Sequence, residues 1–224
     1  GTGYNYSNLG LNFAGAILEK VSGVRFDRYV KDSVITPLGL HAGHNIDELD
    51  MSKCASIYRY RDGQYVESNA YGSVAHQLND YIMGYSAPIF SPTGGVKISA
   101  HDLATYMMMH MNYGQLNGVR IISEESAKTM QTPVWIKLTD DYYEDQYGLC
   151  LMEFVDFLDD PHYNTPGNYP VGHTGDAYGL RSIMIWSPTD GWGIVAITNG
   201  YVFNPEKDVV ETLANAIYKA YFGQ

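Results

Sequence analysis

The stretch Val171–Asn199, VGHTGDAYGLRSIMIWSPTDGWGIVAITN, decides the fold. It contains two apolar runs of strand length, Leu180–Trp186 and Trp192–Asn199, that are rich in isoleucine and valine. The turn residues Ser187–Gly191 join them. Apolar runs separated by such a turn predict the buried strands of a β-hairpin.

A glycine-flanked polar pair precedes this hairpin. His173-Thr174 stands between Gly172 and Gly175, and a glycine lets a neighbouring backbone or a ligand approach where a Cβ would block it. A polar pair held in this way at the edge of an apolar sheet indicates a site. The simpler interpretation is a surface bend with an incidental histidine, and these four residues alone do not separate the two.

Composition limits the class of protein. The chain has 224 residues, 45% of them hydrophobic and 17% charged, which is typical of a globular fold with a sizeable core. Its formal net charge of −11 would repel a polyanion, so we expect no nucleic-acid partner. No apolar run approaches the roughly 20 residues that a membrane-spanning helix needs. Cys54 and Cys150 fit no metal-binding spacing.

Helical and strand patterns alternate along the rest of the chain. The apolar spacing predicts helices over 9–21, 26–35 and 99–111, and a last helix that begins at Asn204-Pro205. In the third helix we expect Asp102 to reach back to the Ser99 N–H as a capping box. Asp62-Gly63 predicts a hairpin turn. Gln146–Val155 is interpreted as one strand entering the sheet.

The sequence gives little support for metal binding or nucleotide binding. His41 and His44 lie in a predicted loop, and no H-E-x-x-H motif occurs. Gly94-Gly95 lacks the Gly-Lys-Ser/Thr ending of a phosphate-binding loop. We therefore expect neither a metal nor another cofactor.

Tyr6-Ser7-Asn8 stands at the entry of the first helix. Ordinary helix capping by Ser7 or Asn8 would explain it, with Tyr6 packing against the first turn. In combination with His173-Thr174-Gly175, however, the chain resembles the serine β-lactamase and penicillin-binding-protein superfamily, in its class C, D,D-carboxypeptidase and esterase branch. There Tyr-x-Asn replaces the S-D-N element, and Lys/His-Thr-Gly forms the third element.

The resemblance extends along nearly the whole chain. Pro37-Leu38-Gly39-Leu40 is similar to the family's Pro-Leu-Gly-Met. The segment from Gly94 to Ala104 resembles its Gly-Gly-Leu … Asp-Leu-Ala stretch. Tyr147-Gly148-Leu149 resembles its Tyr-Gly-Leu-Gly strand, with Cys150 where glycine is usual. Five such pieces in the right order are far more specific than any one of them.

The resemblance implies roles for the site residues. Tyr6 would shuttle a proton to and from the serine hydroxyl and the leaving group, and Asn8 would hydrogen-bond the substrate amide. His173, Thr174 and Gly175 would form the edge strand on which the substrate lies. The backbone N–H of Asp176 would donate to the oxyanion, whose charge develops only in the tetrahedral state. We expect Tyr6 and His173 to face one cleft.

One element of the family pattern is missing, because no serine is followed three residues later by lysine. The chain therefore looks like the C-terminal part of a longer hydrolase, and we expect it to be inactive alone. The predicted fold is α/β of the α+β type, with a mostly helical region over about 1–140 and an antiparallel sheet with its C-terminal helix over about 141–224. The C-terminal helix would cover part of the sheet, and the missing part would complete the cover.

The expected function is acyl-serine transfer on an amide, lactam or ester, as in D,D-peptidases and esterases. Partners would be a small-molecule or peptide substrate and, through the truncated face, a second copy. The resemblance implies an extracytoplasmic location. Two alternatives remain open: a non-catalytic module of the same fold that binds peptidoglycan or peptides, and a structural domain whose tyrosine-rich surface contacts another protein.

Overall fold

The computed structural model describes residues 5–139, 142–202 and 208–223. These residues form two compact units. The sheet unit contains residues 56–68 and the described residues from 103 to 223, and the helical unit contains residues 5–55 and 69–102. The architecture is mixed α and β with antiparallel sheets, as predicted.

The elements follow one another in this order. The helices are α1 (Asn8–Ser22), α2 (Phe26–Val30), α3 (Ala100–Met111), α4 (Glu124–Gln131) and α5 (Val209–Tyr221). The strands are β1 (Tyr58–Arg61), β2 (Gln64–Glu67), β3 (Gln115–Leu116), β4 (Val119–Arg120), β5 (Trp135–Thr139), β6 (Tyr142–Tyr147), β7 (Met152–Glu153), β8 (Val171–Ala177), β9 (Leu180–Trp186) and β10 (Gly193–Ile197).

The main sheet has the strand order β10-β9-β8-β7-β6-β5, with every neighbouring pair antiparallel. The predicted hairpin of β9 and β10 is confirmed, and it pairs from Gly193↔Trp186 to Ile197↔Ser182. The predicted Asp62-Gly63 turn joins β1 and β2. The start predicted at Asn204-Pro205 lies outside the described residues, and α5 begins at Val209 with Asp208 as its cap.

Both faces of strand β9 are covered. On one face Ile183, Ile185 and Ile194 pack in a cluster with residues of α5. On the other face Met184 and Trp186 pack with Met107 of α3. Alternate side chains of β9 therefore pack against α5 on one face and α3 on the other. That a missing part of the chain completes the cover of the sheet stays a prediction.

The segment Gln146–Val155 is not one strand but two. The chain reverses between β6 and β7, where the Gly148 N–H donates to the Leu151 carbonyl at 2.8 Å. Cys150 takes a left-handed conformation with φ of +62°. The pattern Gly-Leu-Cys-Leu contains few of the residues that usually signal a turn, so periodicity alone did not reveal the reversal.

Helix α1 begins and ends as the sequence indicates. The Ser7 side chain accepts from the Gly10 N–H, and Gly23 closes the helix with φ of +69°. Its buried face carries Glu19, whose carboxylate accepts from the Phe26 N–H, the Gly84 N–H and the Tyr81 hydroxyl. A buried carboxylate needs such donors to offset the loss of water.

The predicted capping box at α3 is only half present. The Ser99 hydroxyl accepts from the Asp102 N–H at 3.1 Å, as an N-cap does. The Asp102 carboxylate accepts instead from the backbone N–H of His41 at 3.1 Å. Asp102 thus ties a distant loop of the helical unit to the start of the helix.

Candidate functional site

Strand β8 carries the His-Thr-Gly motif and is tightly joined to β9. All seven of its residues pair with β9, from Val171↔Trp186 to Ala177↔Leu180. A Cβ on Gly172 would lie 1.9 Å from the Met184 carbonyl oxygen, so only glycine allows the two backbones to approach this closely. The close approach predicted for this glycine is therefore to the neighbouring strand.

The other edge of β8 is only partly occupied. Strand β7 pairs with β8 through Glu153↔Val171 and Met152↔Gly172. Beyond these two pairs, none of the strands that the structure describes continues the ladder along Thr174–Ala177 on this side. An extended ligand could add to this edge by backbone hydrogen bonds, as in other cases of strand addition.

Along β8 the side chains alternate between the two faces of the sheet. His173 and Gly175 belong to one face, and Thr174 and Asp176 to the other. The Nδ1 of His173 lies 2.5 Å from the carbonyl oxygen of Thr174. Because a carbonyl can only accept, Nδ1 is the donor in this contact.

Asp176 follows the motif and is the more exposed member of an ion pair. Its carboxylate lies 3.6 Å from the guanidinium of Arg181, directly opposite on β9. The same guanidinium contacts the carboxylate of Asp208, the residue that caps α5. Arg181 therefore links the end of the site strand to the helix that covers the sheet.

The β1–β2 hairpin sits over the β8–β9 turn, an arrangement that the sequence did not reveal. Asn199 holds it, because its side chain accepts from the Tyr58 N–H at 2.9 Å and donates to the Ser56 carbonyl at 2.7 Å. Gly179, with φ of +96°, makes room for the Tyr58 carbonyl, which would be 2.1 Å from a Cβ. Two segments more than 100 residues apart thus meet at one end of β8.

The Tyr-x-Asn element belongs to the helical unit. Tyr6 precedes the cap of α1 and is exposed, and Asn8 is the first residue of the helix. The side-chain oxygen of Asn8 accepts from the Thr93 hydroxyl at 2.9 Å. The structure therefore places Tyr6 and Asn8 together, and places His173, Thr174, Gly175 and Asp176 together on β8.

Glu153 is a titratable group near the motif that the sequence did not single out. It lies on β7, directly opposite Val171 on one side and Gln146 on the other. Burial raises its pKa to about 7. No spacing or motif marks this glutamate in the sequence, because its shifted pKa depends on the strands that surround it.

We find neither a metal centre nor a membrane-spanning helix among the residues that the structure describes. Within residues 5–139, 142–202 and 208–223, no three His, Cys, Asp or Glu side chains are grouped so that they could hold a metal ion. Over the same ranges, each helix is too short or too polar to cross a bilayer.

An antiparallel sheet covered by helices on both faces, with a His-Thr-Gly strand at a partly open edge, is the arrangement of the β-lactamase class of folds. The sequence matches the Beta-lactamase family over residues 1–219, and the chain belongs to this family. The members of this family are serine hydrolases.

Individual relatives agree with this assignment. The chain is 30% identical over 230 residues to a putative D-alanyl-D-alanine carboxypeptidase of Escherichia coli O157:H7, and the match covers 93% of this chain and 48% of that protein. It is 25% identical over 206 residues to penicillin-binding protein 4 of Amycolatopsis lactamdurans, covering 88% of the chain and 48% of the relative. The chain thus spans about half of the length of these relatives.

A solved structure shows the same fold. The octameric penicillin-binding protein homologue from Pyrococcus abyssi superposes with a TM-score of 0.71 at 24% identity. The match covers the whole of this chain and 44% of that one. At this identity the likeness concerns the fold alone.

Proposed function

We propose that this chain supplies the substrate-binding strand and the proton-transfer tyrosine of a serine hydrolase of D,D-peptidase or esterase type. The reaction would be acyl transfer from an amide, lactam or ester through an acyl-serine intermediate. The observation that carries the proposal is the partly open edge of β8 at Thr174–Ala177. An extended acyl substrate would lie along this edge and present its carbonyl to the backbone N–H of Asp176.

The remaining site residues take the roles that the family implies. Tyr6 would carry the proton between the nucleophile and the leaving group, and Asn8 would hold the substrate amide. The side chain of His173 and the backbone of Thr174 and Gly175 would orient the substrate. That Tyr6 and His173 face one cleft stays a prediction, which a short bifunctional crosslinker between cysteines at the two positions would test.

The nucleophile is the second part of the proposal. None of the serines in this chain is followed by lysine at the third position. We propose that the acylated serine lies outside these 224 residues, and that the parent acts outside the cytoplasm, as its penicillin-binding relatives suggest. Without an activated nucleophile, an oxyanion hole and a tyrosine provide no covalent route.

The test is binding without turnover. A peptide ending in D-alanyl-D-alanine, the dipeptide in the carboxypeptidase relative's name, should bind the chain. The substitution His173→Ala should weaken binding at least about tenfold, the cost of roughly one well-placed hydrogen bond. The matched control His76→Ala alters a histidine of the other unit and should leave affinity unchanged.

Two results would contradict the proposal. Equal affinity of the His173→Ala and wild-type chains would remove the His173 side chain from the binding site. A penicillin adduct on a serine of this chain, detected by intact mass, would show that the nucleophile is present after all. Binding that persists without turnover in the longest natural polypeptide would favour the alternative of a peptide-binding module.

A further inference from the structure

Glu153 lies on the same face of the main sheet as His173. It is directly opposite Val171, and His173 is two residues further along β8 on the same side. Residues in such diagonal positions on neighbouring strands are about 7–8 Å apart, which is within reach of long side chains. Glu153 is therefore a close neighbour of the His-Thr-Gly motif, although it lies outside every motif of the sequence.

The carboxyl group of Glu153 is partly buried without a compensating charge. Burial raises its pKa to about 7, and within the described residues no cation or hydrogen-bond donor counteracts this. Gln146, directly opposite on β6, does not donate to it, because its buried Nε2 has no hydrogen-bond partner in that part of the chain. Such surroundings disfavour the charged form of a carboxyl group.

The titratable groups on the neighbouring elements were considered one by one. On β8, His173 is the titratable side chain of this face. From α3 come Tyr106 and His110, and from the turn before β7 comes Cys150. Burial raises the pKa of Tyr106 and of Cys150 and lowers the pKa of His110 to about 4, so all three are uncharged near neutral pH. From α4 the uncharged Met130 packs on this side of the sheet.

The direction of a bound peptide follows from the sheet. Every neighbouring pair of its strands is antiparallel, so a peptide that adds to Thr174–Ala177 in line with β7 would run antiparallel to β8, as β7 does. Its C-terminal end then points toward β7. With the scissile carbonyl at the Asp176 N–H, the terminal carboxylate of the last residue lies further along the edge, toward His173.

We propose that Glu153 is a specificity-determining residue, whose charge controls the binding of a peptide with a free C-terminal carboxylate. This inference rests on the proposed function. A neutral Glu153 tolerates the substrate carboxylate, whereas an ionised one repels it across roughly 7–10 Å of a partly buried site. Repulsion at this separation weakens binding about tenfold. The affinity for the free acid is therefore complete below pH 7 and is lost as pH rises past 7.

Calorimetric titration of the 224-residue chain tests the proposal, with a peptide ending in D-alanyl-D-alanine and with its C-terminal amide, at about pH 5.5 and about pH 8.5. Glu153→Gln imitates the neutral carboxyl group. For the free acid, it should equal the wild type at the lower pH and bind about tenfold more tightly at the higher pH. For the amide, the two proteins should be equal at both. Because they are compared at the same pH, protonation of His173 affects both alike.

Glu125→Gln is the matched control, because it removes the same charge from an exposed position of α4 in the same unit, and it should change neither affinity. Equal affinities of wild type and Glu153→Gln for the free acid at the higher pH would overturn the role of Glu153 and leave the proposed function standing. An equal gain for the amide would also overturn it, since the carboxylate would not be the group repelled. Absence of binding by both peptides at the lower pH would contradict the proposed function and this inference with it.

Discussion

Replacing Gly172 by alanine tests the close approach of β8 and β9 that places the His-Thr-Gly motif. The new Cβ would lie 1.9 Å from the Met184 carbonyl oxygen, 2.8 Å from its carbonyl carbon and 2.9 Å from the Ile185 Cα. All three atoms belong to backbone, so no side-chain rotation relieves the clash. An ordinary contact begins at 3.4 Å, and 3.4 − 1.9 gives 1.5 Å by which the strands must separate.

The loss of folding stability follows from this separation of the strands. Overpacking of this kind costs about 1–3 kcal/mol, and a strained ladder hydrogen bond adds about 1 kcal/mol. Alanine has a lower conformational entropy than glycine in the unfolded chain, which offsets about 0.5–1 kcal/mol of this loss of stability. We therefore expect a loss of about 2–3 kcal/mol, which lowers Tm by about 5–10 °C for a chain of this size.

Thermal unfolding followed by tryptophan fluorescence measures the effect, since Trp186 is fully buried on β9. The matched control is Gly175→Ala. Its Cβ would lie 2.5 Å from the Ser182 hydroxyl oxygen, a side-chain atom that can rotate away. We expect the control to lose less than about 1 kcal/mol. Equal losses for the two variants would refute the argument from backbone proximity.

Three other predictions concern the framework around the site. Glu19→Gln should destabilise the helical unit by about 2–4 kcal/mol in urea unfolding, because three hydrogen-bond donors lose their buried carboxylate partner. An unchanged urea midpoint would contradict this prediction. Burial raises the pKa of Glu153 to about 7, above an unfolded value of about 4.3, so its stabilising contribution is complete at low pH and is lost as pH rises toward and past 7. Glu153→Gln should therefore be more stable than wild type at pH 8 and not at pH 4, and a difference independent of pH would contradict this. Asn199→Ala should speed hydrogen exchange in the β1–β2 hairpin while the central strands stay protected, and equal exchange would show that the two side-chain hydrogen bonds do not hold the hairpin.

Much of the framework could be predicted from local patterns. Ser7 and Gly23 bound α1 because capping chemistry acts within one turn. The β9–β10 hairpin was predictable because its apolar runs and its turn are adjacent in the chain. The order of short motifs indicated the family, which the match over residues 1–219 confirms.

The rest depends on contacts between distant residues. Periodicity located the apolar stripe of α1 but gave no information on what covers it. The turn at Cys150 was missed because a residue that is not typical of turns takes the left-handed conformation there. The pKa of Glu153 and the position of the β1–β2 hairpin likewise follow from strand neighbours that no local pattern specifies.

The central claim is that the partly open edge of β8 binds an extended substrate. Backbone amide chemical shifts of the isotopically labelled chain, recorded during titration with a peptide ending in D-alanyl-D-alanine, test it most directly. We predict that the largest and saturable shifts fall on Thr174–Ala177, with smaller ones on the paired residues of β9. Shifts confined to other parts of the chain, with Thr174–Ala177 unchanged at saturation, would contradict the account.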